Sequence, residues 1–157
     1  MINEFILRFL EMAKKAVATD IQFHFLQPCP AFTKRTAVKD FLRLLFKKEK
    51  KKLASLNYIF CSDDYLLEIN RRYLNHDYYT DIITFDLSEG SGIVGEVYIS
   101  LDRVRDNAIQ FNTSFRQELH RVIFHGSLHL CGYKDKTKAD QTFMREKEDY
   151  WLKKYFN

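Results

Sequence analysis

The stretch "HRVIFHGSLHLCGYKDK", residues 120–136, holds three of the chain's five histidines. His125 and His129 are four apart, Gly132 follows three later, and Asp135 three after that. On a helix, side chains four apart stack one turn above the other, so these two imidazoles can aim at one point. Glycine then stops the helix, because it takes the left-handed backbone of a C-cap at no steric cost. The returning chain can carry Asp135 to the same point. Two nitrogens and a carboxylate oxygen suit zinc or another borderline divalent ion, one per chain. They leave a fourth position open, as catalytic sites do and structural ones do not. The pattern thus predicts a metal-site helix over 114–131. A bare HxxxH also arises in pairs of core or capping histidines; the GxxD that follows is what sets this one apart.

In metallopeptidases of the HExxH type, the residue after the first histidine is the general base. Here it is Gly126, which takes no proton and is expected to leave room near the metal for a bulky phosphodiester. No side chain is assured as the base. Catalysis would then rest on a metal-bound water, or on a nucleophile within the substrate such as the ribose 2′-hydroxyl of RNA. Cys131, two residues from His129, points off the ligand face and is expected to pack. His120 is expected at the surface or behind the ligands. His24 alternates with phenylalanines in a strand and carries no chemistry, while His76 lies in a loop within reach of the site.

The rest of the chain is that of an ordinary domain. Its 157 residues, 46% hydrophobic and 29% charged, are enough for one core. Three widely spaced cysteines argue against a disulfide framework and for a reducing compartment. No apolar run is long enough to span a membrane, and the charges at Glu4, Arg8 and Glu11 exclude a signal peptide. A cytoplasmic protein is expected. The net charge of +4 permits an acidic partner without requiring one. The densest basic run, "KKEKKK" (47–52), suits the negative end of a helix dipole.

Residues 1–20 read as an N-terminal amphipathic helix or extension, and 21–157 as one α+β domain. "IQFHF" (21–25) and "LNYIFCS" (56–62) have strand composition, and a helix capped by Thr33 is expected between them. A helix opens at Ser62, and "TDIITFDL" and "GIVGEVYIS" are two strands joined by a short excursion. Helices from Leu101, Ser114 and residue 138 complete the chain, giving a small mixed sheet of about four strands packed with helices.

The segment "HGSLHLCGYKD" resembles the HGxLHLxGYDH signature of the YbeY family of metal-dependent endoribonucleases. "NRRYLNHDYYTDIITF" (70–85) is similar to that family's N-x-x-Y-R-x-x-D-x-x-T-D/N-V-L-S-F segment. Asn70, Tyr73, Asp77, Thr80, Asp81 and Phe85 fall in register with it. "VGEVYIS" (94–100), and Met144 with Glu148, extend the likeness to the C-terminus. The resemblance implies a zincin-like fold, a zinc ion, and cleavage of single-stranded RNA. It further implies a role in maturing ribosomal RNA at the small-subunit 3′ end, in ribosome quality control, and beside ribosomal proteins. His125 and His129 match the first two metal ligands, and the third, a histidine in the family, falls at Asp135. The family's arginine after the tyrosine falls at Leu74, which cannot hold a phosphate. Arg71, Arg72 and Lys134 are the nearby cations that could take its place. Two competing readings stay open: a small zinc metallopeptidase, which Gly126 disfavours, and a ribosome-associated binding module with a structural metal.

Overall fold

The computed structural model describes residues 21–157; the amphipathic segment expected at 1–20 lies outside the described residues. The elements run β1 (Ile21–Phe25), α1 (Arg35–Lys48), β2 (Leu53–Cys61), α2 (Asp63–Leu74), β3 (Ile82–Asp86), β4 (Ile93–Ser100), α3 (Leu101–Gln110), α4 (Phe115–Leu130) and α5 (Lys138–Phe156). The four strands form one mixed sheet in the order β1-β2-β4-β3. The first two pairings are parallel and β3–β4 is antiparallel. This is the small-sheet α+β fold that the sequence predicts.

Alternation along the strands divides two apolar layers. Ile21, Leu56, Tyr58, Phe60, Val97 and Ile99 join the main core with α1, α4 and α5. Residues one step out of phase, Ile59, Cys61, Ile83 and Tyr98, meet Leu66 and Ile69 of α2 in a smaller core. All three cysteines are buried and free, so Cys131 packs as expected.

Strand β2 starts three residues before the apolar run that announces it. Leu53 pairs with Ile93 across an irregularity between Leu53 and Ser55, where alternation does not mark the strand. Helix α1 starts after Lys34, in the left-handed conformation and with no side-chain cap, rather than after Thr33. Phe32, 2% exposed, is pinned in the core and fixes where the chain turns before the helix. Lys47 and Lys48 lie in its last turn, as the dipole argument requires.

Helix α4 is held from both ends and from below. Ser114 Oγ accepts the Gln117 N–H at its start. At its end Gly132, with φ of 102°, donates to the His129 carbonyl while Tyr133 donates to that of Leu128. This pair of hydrogen bonds closes the helix and sends the chain back. From the sheet, the Tyr58 hydroxyl donates to the Ile123 carbonyl at 2.8 Å and meets Ser127 Oγ at 2.7 Å.

Candidate metal centre

The reversal at Gly132 brings Asp135 back over the helix. Its Oδ2 lies 3.1 Å from His129 Nε2 and 3.4 Å from His125 Nε2. Neighbouring ligands about a tetrahedral zinc, with bonds of ~2.0–2.1 Å, stand about 3.3 Å apart. One ligand atom from each of the three residues lies within 4.8 Å of the others. The structure therefore brings together the three residues named from the sequence.

What suits these atoms to hold a metal ion is the orientation of the rings. His125 Nδ1 donates to Glu148 Oε1 at 2.6 Å, and His129 Nδ1 donates to the Tyr133 carbonyl at 2.9 Å. Neither acceptor can return a proton to the ring, so each neutral imidazole carries hydrogen on Nδ1 and a lone pair on Nε2. Two lone pairs and a carboxylate oxygen then converge, an arrangement that calls for a cation between them. Burial opposes charge on His125, but Glu148, Asp81 and Asp135 together hold its pKa above the ordinary value. A metal ion would sit in the same negative field.

Glu148 comes from α5, on a buried stripe with Met144, Trp151 and Leu152. Its other oxygen is held by Arg121 at 3.1 Å and Arg145 at 3.4 Å. Its part was not read from the sequence, although a carboxylate on an otherwise apolar helix face is the signal that marks it. Asp81, immediately before β3, falls in the family segment but was given no part in the site from the sequence. Burial raises its pKa, and its Oδ2 accepts from Asn107 Nδ2 at 3.1 Å.

Both carboxylates and the His/Asp cluster line one cleft of about 770 Å³. Five acidic side chains face it, Asp81, Asp86, Glu118, Asp135 and Glu148, against three basic ones, Arg121, Lys136 and Arg145. The cations named from the sequence are placed elsewhere. Arg71 and Arg72 do not line the cleft, Arg71 pairing with Asp77, and Lys134 lines a separate, smaller one with Tyr133 and Phe143. Leu74 does line the cleft, as does His76.

Two sequence expectations need correction. Gly126 does not open space at the metal, because a Cβ there would meet Val97 Cγ1 at 2.9 Å and Ile82 Cδ1 at 3.0 Å. The glycine lets α4 approach the sheet, and position 126 points away from the cleft. His120 is neither at the surface nor behind the ligands. It is 1% exposed, stacked on Tyr155, with burial lowering its pKa to about 4. Helix α4 is covered on nearly every side, so a position off the ligand face is still inside the protein.

A small α+β domain with two imidazoles and a carboxylate converging at a helix end has the makings of a metal-dependent hydrolase. The chain belongs to the Endoribonuclease YbeY family, whose model matches residues 24–156. It is 56% identical over 116 residues to Endoribonuclease YbeY of Cytophaga hutchinsonii, covering 73% of this chain and 81% of that one. It is 49% identical over 138 residues to the Parabacteroides distasonis protein of the same name, covering 88% and 92%. The solution structure of TM1509 from Thermotoga maritima matches with a TM-score of 0.55 at 28% identity, covering 86% of this chain and 89% of that one.

Proposed function

We propose that the protein is a zinc-dependent endoribonuclease that cuts single-stranded RNA. The observation that carries this reading is the convergence of His125 Nε2, His129 Nε2 and Asp135 Oδ2, with both Nδ1 atoms engaged from behind. A zinc ion held by these residues would polarise a phosphoryl oxygen and acidify the attacking hydroxyl. The chain's own part is to orient and to handle protons. Glu148 and the Tyr133 carbonyl fix the rings, and Arg121 with Arg145 fixes Glu148. Asp81, whose burial favours its protonated form, is the cleft's candidate proton carrier. Residues 21–157 make up the catalytic domain, and residues 1–20 are an N-terminal addition to it.

Family membership supports ribosomal RNA as the substrate, with maturation of the small-subunit 3′ end and ribosome quality control as the context. Ribosomal proteins would then be neighbours, and the cytoplasm the place of action. No helix among the described residues is long and apolar enough to cross a membrane. The metallopeptidase alternative loses ground, because the position of its usual base points into the sheet. One comparison decides: single-stranded RNA, the same sequence as a duplex, and casein, each incubated with zinc-loaded protein. Preferential cutting of the single strand is expected. Equal cutting of the duplex would contradict the specificity, and proteolysis without RNA cleavage would contradict the activity.

A further inference from the structure

The cleft carries large side chains that neither hold the metal cluster nor fill the core. Leu74, Tyr78 and Phe111 line it and are 40%, 56% and 52% exposed. Apolar groups left facing water in a concave site mark a surface built to meet a partner. Two of the three are rings held in place. Tyr78 stacks on His76 with centroids 5.1 Å apart and planes 22° apart, and its hydroxyl bonds His76 Nδ1 at 2.9 Å. The Tyr78 carbonyl accepts from Asn70 Nδ2 at 2.9 Å, anchoring the loop to a side chain only 1% exposed. Phe111 caps α3, its N–H bonded to the Asn107 carbonyl at 2.8 Å, and the Arg145 guanidinium lies 5.9 Å from its ring centroid. Each ring is thus paired with a flat, nitrogen-rich group.

The charge lining the cleft points the same way. Acidic side chains outnumber basic ones five to three, so even with Asp81 protonated and a divalent ion bound the lining carries little net positive charge. Arg121, moreover, is already held by Glu148 at 3.1 Å and Asp149 at 2.7 Å. Such a lining attracts a phosphodiester backbone weakly. Bases supply what the backbone does not, since every nucleobase has a face that stacks on an aromatic ring.

We propose that Tyr78 with His76, and Phe111 with Arg145, are platforms for unpaired nucleobases, so that the cleft grips RNA by its bases more than by its phosphates. This rests on the RNA-cleaving reading and extends it to the source of strand selectivity. In a duplex the base faces are occupied by one another, whereas a single strand can offer them.

The test uses the zinc-loaded full chain and a short fluorescent 2′-O-methyl RNA, checked to be intact by gel, beside an abasic strand of equal length. Tyr78→Ala and Phe111→Ala should each weaken binding of the base-bearing strand roughly five- to a hundredfold and leave the abasic strand unchanged. Tyr78→Phe and Phe111→Tyr keep a ring and should keep most of the affinity. The inference is overturned if the abasic strand binds as tightly as the base-bearing one, or if both alanine variants bind RNA like the parent. It is also overturned if the substitutions weaken binding of an unfolded basic polypeptide but not of RNA. Cleavage of unmodified RNA by the parent is scored separately. Cleavage without any effect of the rings overturns this inference alone; neither binding nor cleavage overturns the endoribonuclease reading with it.

Discussion

Glu148 is the residue on which the geometry of the candidate metal centre turns, because its carboxylate both orients His125 and adds negative charge behind it. Glu148→Gln keeps the shape but loses the charge, and zinc affinity measured by chelator competition should fall roughly ten- to a hundredfold. An unchanged affinity would mean that His125 is positioned by packing alone. If Asp135 is the third ligand, as proposed, Asp135→Ala should cost most of the bound zinc, whereas retention at parental affinity would remove Asp135 from the site. His120 carries a prediction of another kind. Burial keeps it neutral in the fold down to about pH 4, whereas the unfolded chain protonates it near its ordinary 6.5. The folded value is the lower one, so the unfolded state binds more protons between the two. Stability on this account is full above about pH 6.5 and declines as pH falls toward 4, by up to about 3 kcal/mol. His120→Phe should flatten this dependence in urea midpoints taken across that range, and an unaltered slope would refute it. The clustering of His125, His129 and Asp135 was legible in the sequence because helical spacing and one glycine turn connect them within eleven residues. Glu148 and Asp81 reach the cleft from other elements, and no local spacing encodes that meeting.

At the level of elements, the contact of α4 with the sheet decides where His125 and His129 sit. Gly126→Ala would place a methyl group 2.9 Å from Val97 Cγ1, a stiff β-branched neighbour. Overpacking of this kind costs about 1–3 kcal/mol. The variant should unfold at lower denaturant while its folded fraction still binds zinc; loss of zinc with unchanged stability would return Gly126 to the metal site. Helix boundaries were legible where a side chain makes the cap, as at Ser62 and Ser114. They were not legible where backbone and burial act instead, as at Lys34, nor where pairing extends a strand, as at Leu53.

For the whole molecule, His125, His129 and Asp135 lie on a cleft while the two apolar cores close without them. Zinc therefore should not be needed for folding. Stripping it should leave the helical circular dichroism and a cooperative unfolding transition, with only the binding contribution to stability lost. Unfolding on chelation would instead favour the structural-metal reading. The proposed nuclease activity depends on the His125, His129 and Asp135 cluster. Its most direct test is cleavage of an end-labelled single-stranded RNA by the parent, by chelator-treated protein before and after zinc is returned, and by His129→Ala. Cleavage that vanishes on chelation, returns with zinc and is lost in the variant is the predicted result. Undiminished cleavage by the chelated protein or by His129→Ala would contradict the claim.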